Sequence, residues 1–299
     1  MCVGLVSLGA LAAAAKDADG FGFIPGEGVS FNDRRVVSAD FSLACDSKYL
    51  TYGLVDNPDP ILTPAGSLTF LDCLDIGVSA IMDTTKYGVG ADYGNRAWTW
   101  TEIDPEIGLA HSFSPDDFEW LPTCVDLSLM YMYEHHPDSS RDDGDEPDTQ
   151  FVTFEAGLPD LWIEPVFVYE QDVMRDSGSY LNLEIGHTFP LIDGGTEDDD
   201  PVLSLKPSVA QGWGDCRRVR GYLSTHDDEP LNRAGLMDSR IQLAAEWSIC
   251  DFLSLSGYVA YSDYLFDRHT RDAARRYEAT GKYDRSFNFI CGLRLTASF

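Results

Sequence analysis

The stretch Ser286–Phe299, SFNFICGLRLTASF, alternates between apolar and polar residues almost without a break. The apolar positions are Phe287, Phe289, Cys291, Leu293, Leu295, Ala297 and Phe299. Polar residues or glycine fill the places between them, with Ile290 as the exception. Because successive residues of a β-strand point to opposite faces, the stretch predicts a strand with one apolar and one mostly polar face. An edge strand of a soluble β-sandwich would show the same alternation.

Composition narrows the class of protein. The chain has 21 Lys and Arg against 50 Asp and Glu, a formal charge of −29, which argues against binding the phosphate backbone of a nucleic acid. The charge suits an exported protein, or one that handles cations. The aromatic fraction of 12% together with 26 glycines favours many short strands and turns over helices.

The amino terminus predicts export. Val3–Ala15 is apolar, too short to span a bilayer as a helix, and ends in small residues, so we expect residues 1–15 to be a cleaved secretory signal. No Lys or Arg precedes the apolar run, which departs from the usual pattern. No later segment approaches the ~20 apolar residues of a transmembrane helix. A membrane span would therefore have to be built from strands.

Residues 16–39 are rich in glycine and polar residues, and we interpret them as a periplasmic linker. Residues 40–299 contain about twelve candidate strands, with mostly tight connections after even strands and mostly longer ones after odd strands. That sorting predicts an all-β fold, a single transmembrane antiparallel up-and-down β-barrel, with its amino terminus on the periplasmic side. Closure would pair every strand edge, as lipid requires. The limits expected for three strands are 40–54, 161–171 and 180–189.

Two stretches carry a resemblance. The terminal alternation ending in Phe299 resembles the closing strand of Gram-negative outer-membrane β-barrels, and SKYLTYG at Ser47–Gly53 resembles the opening strand of small TorF-type porins. The likeness is architectural and covers the two ends of the chain better than its middle. It implies location in the outer membrane and a porin role. It also implies that Leu293, Leu295 and Phe299 form an assembly signal read by the barrel assembly machinery.

If the apolar strand faces meet lipid, the opposite faces line a lumen. The acidic residues predicted there are Asp46, Asp75, Glu102, Asp104, Glu106, Asp126, Glu134, Glu155, Glu164, Glu170, Glu184 and Glu246. The basic ones are Lys48, Lys206, Arg240 and Arg294. Such an excess of carboxylates attracts cations, so we expect passage of small cationic or neutral solutes. Alternatively, the carboxylates pair across a plugged lumen, with Arg268, Arg271, Arg275 and Arg276 of the last loop folding inward.

Other functions remain open. A non-conducting surface barrel could use its loops for adhesion, and a secreted β-sandwich could bind glycans. His135, His136 and Asp138 lie where an omptin-like site would be, but we interpret them as part of a solvated acidic loop. The chain has no Gly-x-Ser-x-Gly, phosphate-loop or HExxH motif, and we predict no enzyme activity.

We also predict no cofactor and no metal site. The cysteines show no metal-type spacing, and their pairing is not predicted. Asp142–Asp148 could bind Ca²⁺, but it lacks the spacing of an EF-hand loop, and a solvated loop is the simpler interpretation. His187 would face lipid near the periplasmic end.

Overall fold

A computed structural model describes residues 22–24, 28–31, 34–85, 97–118, 120–137, 148–194, 201–223, 231–275 and 288–299. The predicted signal at 1–15, residues 138–147 of the acidic loop, including Asp138, and Arg276 lie outside the described residues. So does the amino-terminal part of the segment interpreted as a linker. The described part of the chain contains seventeen strands and two short helices.

The strands, in chain order, are β1 Gly22–Ile24, β2 Gly28–Phe31, β3 Arg34–Asp46, β4 Tyr49–Thr51, β5 Leu54–Asn57, β6 Ile61–Phe70, β7 Leu74–Asp83, β8 Thr99–Phe113, β9 Val125–Glu134, β10 Thr149–Gly157, β11 Val166–Asp172, β12 Ser179–Gly186, β13 Phe189–Ile192, β14 Leu203–Gly214, β15 Gly235–Cys250, β16 Leu253–Asp263 and β17 Phe289–Ser298. The helices are α1 Cys216–Leu223 and α2 Arg268–Ala274.

Twelve of these strands close into a barrel. The hydrogen-bonded order is β3-β17-β16-β15-β14-β12-β11-β10-β9-β8-β7-β6, and β6 pairs with β3 to close the ring. All twelve pairings are antiparallel, and each strand lies beside the next barrel strand in the chain. The predicted fold, an antiparallel up-and-down barrel of twelve strands, is confirmed.

The alternation seen in the sequence separates the two surfaces of the barrel. In β17, Leu293 and Leu295 are 60% and 44% exposed, whereas Gly292 is buried and the intervening Arg294 is half-buried. Many outward positions of the other strands are likewise occupied by exposed apolar side chains, such as Leu129, which is 50% exposed. Exposed aromatic residues lie near both ends of the barrel strands. Those near one end are Phe118, Trp120, Trp162, Phe189, Trp247 and Phe252, and those near the other are Trp98, Trp100, Tyr131 and Phe289.

The two ends differ in their connections. The turn end carries the connections 71–73, 114–124, 158–165, 187–202 and 251–252, whereas the loop end carries 47–60, 84–98, 135–148, 173–178, 215–234 and 264–288. The predicted sorting of short and long connections is therefore present. The connections 187–202 and 173–178 are the exceptions, the first long and the second short.

Three strand limits differ from those predicted. β3 begins at Arg34 and ends at Asp46, after which the chain turns inward as the separate β4–β5 hairpin. β11 begins only at Val166, because residues 158–165 form a closed turn with hydrogen bonds from Leu158 N to Pro165 O and from Glu164 N to Leu161 O. The predicted 180–189 strand divides into β12 and the short β13.

Candidate functional site

The loop end of the barrel is filled from within. Three connections fold inward there: the β4–β5 hairpin (49–57), helix α1 and helix α2. We call these elements the plug. One cluster of buried side chains joins all three to the barrel wall: Tyr52, Leu54, Tyr180, Val219, Leu223, Met237, Tyr264, Ala273 and Ala274. The plug therefore has an apolar core of its own inside the lumen.

The hairpin crosses the lumen from one wall to the other. Tyr49 packs against Ile61 and Ile81 of the nearby wall. At the tip, Tyr52 and Gly53 both have positive φ, 47° and 85°, the conformation of a type I′ turn. The Tyr52 hydroxyl donates a hydrogen bond to Glu170 on β11, which lies diametrically opposite β3 in the ring.

Arg218 of α1 is the charged centre of the plug. Its side chain has no exposure, and its guanidinium lies 3.3 Å from Glu170 Oε1 and 3.7 Å from Asp176 Oδ2. It donates hydrogen bonds to the Tyr52 hydroxyl at 2.9 Å and to Gly178 O at 3.1 Å. The guanidinium carbon also lies 4.9 Å from the centre of the Tyr52 ring. A single cation thus joins the hairpin, α1 and the opposite wall.

The surroundings of Arg218 keep it charged. Burial by itself disfavours the guanidinium ion, but the Tyr52 oxygen and the carboxylates of Glu170 and Asp176 outweigh burial and raise the pKa of Arg218. Burial raises the pKa of Asp176, and Arg218 opposes that change. The arrangement is a buried ion-pair network, in which removal of one partner leaves the others uncompensated.

The barrel wall from β7 to β10 carries four carboxylates that, unlike Glu170 and Asp176, do not lie beside an arginine among the described residues. Asp75, Glu106, Asp126 and Glu155 are half-buried and lie on successive strands; we call them the acidic strip. Thr69 Oγ1 donates to Asp75 at 2.5 Å, and Ser112 Oγ donates to Asp126 at 2.6 Å. Within the described ranges, none of the four forms an ion pair with Lys or Arg, whereas Arg240 pairs with Glu184 at 3.0 Å on the other side of the lumen.

Nearer the loop end, the same wall holds a buried group of four side chains. Glu102 and Asp104 lie on β8, and Glu134 and His136 lie at the end of β9, all of them at most 7% exposed. His136 Nε2 is 3.6 Å from Glu134 Oε1 and 3.9 Å from Glu102 Oε2. The Tyr49 hydroxyl of the plug donates to Glu102 Oε2 at 3.4 Å.

The remaining residues that were predicted to line the lumen differ in their partners and in their exposure. Asp46 accepts a hydrogen bond from Tyr258 at 2.7 Å and lies in the electrostatic field of Arg294. Glu246 is exposed near the turn end of β15, between the outward-facing Ala245 and Trp247. Strand alternation places these residues, and the other strand-borne members of the predicted set, on inner positions.

Two members of the predicted set lie in connections and not on barrel strands, so strand alternation does not decide which way they face. Lys48 lies in the bend between β3 and β4. Glu164 lies in the 158–165 turn, where its carboxylate accepts hydrogen bonds from Thr188 and lies 2.9 Å from Lys206 Nζ. Burial alone would raise its pKa, but the bonds from Lys206 and Thr188 outweigh burial and lower the pKa of Glu164.

Two expectations concern the loops. Helix α2, which carries Arg268 and Arg271, folds inward, but the side chain of Arg268 is 82% exposed and pairs with Asp272, and the cation that pairs with Glu170 is Arg218. His136, which we interpreted as part of a solvated loop, is 5% exposed. Its neighbour His135 matches that interpretation, with a side chain that is 45% exposed and 3.1 Å from Asp148.

The carboxy-terminal residues close the turn end. Phe299 N donates to Ala39 O, and Ala39 N donates to Phe299 O, both at 2.8 Å. The Phe299 ring lies 6.0 Å from that of Phe252 and 6.4 Å from that of Phe41. Leu293 and Leu295 face outward in the same strand. Whether these residues act as an assembly signal stays a prediction.

The exterior identifies the class of protein. A closed barrel with an apolar outer surface, aromatic residues near both ends and carboxylates inside is the architecture of a transmembrane β-barrel of the Gram-negative outer membrane. Among the described residues, neither helix is long and apolar enough to cross a bilayer. Because short connections of such barrels face the periplasm, the turn end is the periplasmic end and the loop end the outer one.

Comparison with known proteins finds solved structures of outer-membrane proteins that are similar to this chain at low sequence identity. No family model and no curated protein matches the sequence. The COG4313 outer-membrane channel of Pseudomonas putida F1 is 12% identical, with a TM-score of 0.44 over 88% of this chain and 94% of that one. Omp33 of Acinetobacter baumannii is 8% identical, with a TM-score of 0.37 over 88% and 98%. OmpF of Salmonella typhi, in complex with daunomycin, is 9% identical, with a TM-score of 0.35 over 88% and 97%.

The sequence analysis did not assign Tyr52 and Arg218 to a site, and it interpreted His136 as part of a solvated loop. Each of the three lies in a stretch with a local signal. Tyr52-Gly53 is a two-residue hairpin turn with Gly at its second position, and Val219, Tyr222 and Leu223 have the spacing of a helix face. His136 follows Glu134 by two residues, so both side chains lie on one face of an extended strand.

Proposed function

We propose that the protein is a porin-like channel for small solutes that prefers cations and is constricted at its outer end by the plug. The observation that supports this proposal is the acidic strip: four half-buried lumenal carboxylates that lack a Lys or Arg partner among the described residues. Fixed carboxylates along a narrow pore attract cations and repel anions. The solutes expected are small cations or neutral molecules.

Charge-neutral variants test the preference. In the variant with Glu106→Gln, Asp126→Asn and Glu155→Gln, the reversal potential under a KCl gradient should move toward zero. These changes are nearly isosteric, so the barrel should still fold. The control neutralises two exposed carboxylates of the turn end, Asp193→Asn and Asp251→Asn, and should keep most of the wild-type selectivity. Equal selectivity in the three proteins would refute the role of the acidic strip.

The plug supports a second candidate, a non-conducting surface barrel that binds partners through its outer loops. Arg218 and Tyr264 have no exposure inside the lumen, which shows how closely the plug packs there. Conductance separates the two functions. A folded, inserted protein that stays silent even after the plug is destabilised would favour the surface barrel.

Recognition of the carboxy-terminal strand by the barrel assembly machinery is part of the same proposal. Its support is the outward apolar row of β17, which includes Leu293 and Leu295, together with the packing of Phe299 against Phe41 and Phe252. Replacement of Phe299 by Ala should reduce the amount of folded barrel in cells more than it reduces refolding in detergent. An equal effect on both would indicate a purely structural role.

A further inference from the structure

We propose that Glu102, Asp104, Glu134 and His136 form a binding site for a divalent transition-metal ion in the outer part of the lumen. One nitrogen and several carboxylate oxygens would supply the ligands. An imidazole suits Zn²⁺, Fe²⁺ and Ni²⁺, and carboxylates bind all of these ions when an imidazole completes the set. The site does not depend on conduction through the barrel.

The strand register brings the four side chains together. Ile103 and His135 form an antiparallel bridge and exchange two backbone hydrogen bonds, Ile103 N to His135 O at 2.8 Å and His135 N to Ile103 O at 3.0 Å. The residues on either side of this bridge therefore face each other as close, non-hydrogen-bonded pairs, Glu102 with His136 and Asp104 with Glu134. Two neighbouring strands thus present a square of donors to the lumen.

The distances suit a shared ion. The ligand atoms of Glu102, Glu134 and His136 all lie within 4.8 Å of one another. The imidazole Nε2 is 3.6 Å from the Glu134 oxygen and 3.9 Å from the Glu102 oxygen. Ligands at ~2.1 Å from a tetrahedral ion are about 3.4 Å apart, so both imidazole-to-carboxylate distances are within about 0.5 Å of the spacing that a tetrahedral ion requires.

Asp104 supplies an independent observation. It is 5% exposed, its Oδ1 accepts no hydrogen bond from an N–H or hydroxyl group of the described residues, and its Oδ2 accepts one from Ser79 Oγ at 3.5 Å. Its carboxyl group also shares a hydrogen bond with that of Glu102 and lies in the electrostatic field of Glu134. Buried carboxyl groups that crowd together in this way carry a large desolvation and repulsion cost, which a metal ion would offset.

A second His–Glu contact, outside the proposed metal site, differs from it because a lysine lies beside the carboxylate. His187 Nδ1 lies 3.6 Å from Glu164 Oε1, but Lys206 Nζ lies 2.9 Å from the other oxygen of the same carboxylate. The Lys206 ammonium group therefore already occupies the position that a metal ion would take beside Glu164. Neither Glu102 nor Asp104 has such a Lys or Arg neighbour within the described ranges.

The test uses the full chain, refolded in detergent, without a polyhistidine tag and with its cysteines alkylated so that thiols cannot bind the probe. Calorimetric titration with Zn²⁺ should give one saturable site per chain. Glu102→Gln and His136→Gln should each weaken binding at least tenfold. His135→Gln is the matched control and should bind as the wild type does, because that side chain is partly exposed and directed to Asp148.

Retention of the barrel in each variant is checked by its heat-modifiable migration in electrophoresis. A second measurement needs no variant: X-ray absorption of Co²⁺ bound to the wild type should show one imidazole, with oxygen atoms as the other ligands. Absence of saturable binding to the folded wild type would overturn the proposal. So would a coordination shell with two imidazoles, or His136→Gln binding as tightly as His135→Gln.

Discussion

Removal of the Arg218 charge should release the plug. Arg218→Met keeps most of the side-chain volume but leaves Glu170, which is 1% exposed, without its cation. Breaking a buried ion pair by removing one partner costs about 3–5 kcal/mol. Since about 1.4 kcal/mol changes an equilibrium tenfold, the ratio of docked to undocked plug should fall by a factor of about one hundred to several thousand. The barrel strands, which pair independently of Arg218, should remain closed.

Single-channel recording of the refolded protein in planar bilayers measures this release as a higher open probability. Arg217→Met is the matched control, because Arg217 is the neighbouring residue of α1 and is exposed. Combining Arg218→Met with Glu170→Gln removes both charges and should return the open probability toward the wild-type value. If Arg218→Met and Arg217→Met gave the same open probability, the ion pair would not hold the plug.

Three further perturbations test other parts of the structure. Gly53→Ala should destabilise the hairpin by on the order of 1–3 kcal/mol, because the φ of Gly53 is +85° and the new Cβ would lie 2.8 Å from Asp238 Cβ. The destabilisation should appear as faster cleavage by trypsin after Lys48. An unchanged cleavage rate would contradict this prediction. Leu129→Arg should cost about 2–4 kcal/mol near the bilayer midplane, seen as a lower urea midpoint in liposomes; no change would mean that Leu129 does not face lipid. Lys206 and Thr188 lower the pKa of Glu164 in the folded protein below the ordinary glutamate value of 4.5. The ionised Glu164 therefore stabilises the folded state fully above pH 4.5, and this stabilisation is lost as the pH falls through the lower pKa of the folded protein. Glu164→Gln should therefore lower the urea midpoint at pH 7, with Lys206 and His187 left facing a neutral amide, and the difference from wild type should shrink below pH 4.5; a difference independent of pH would exclude this linkage.

The barrel could be predicted because the polarity of successive residues in a strand follows the surroundings of its two faces. In Val125–Glu134 and Phe289–Ser298, one face meets lipid and the other meets the lumen, so the period of two is visible in the sequence alone. The 161–171 strand was misplaced because Leu161, Trp162 and Ile163 look like part of a strand. They are instead exposed turn residues near an aromatic band, with Trp162 at 72% exposure.

The plug could not be predicted in the same way. Its contacts join residues far apart in the chain, such as Tyr52 with Glu170 and Arg218, and no local period reports them. The carboxylates of β8 were predicted to line the lumen, but the contact between Glu102 and His136 depends on the register at the end of β9. Alternation within a strand indicates which residues face inward, but it does not indicate which inward residues of different strands contact each other.

The most direct test of the proposed function is planar-bilayer conductance of the refolded wild-type protein under a KCl gradient, with folding verified by heat-modifiable migration. We predict discrete current steps whose reversal potential has the sign of cation selectivity. Anion selectivity would contradict the acidic lumen. Complete silence of an inserted barrel, in both the wild type and Arg218→Met, would contradict the channel itself.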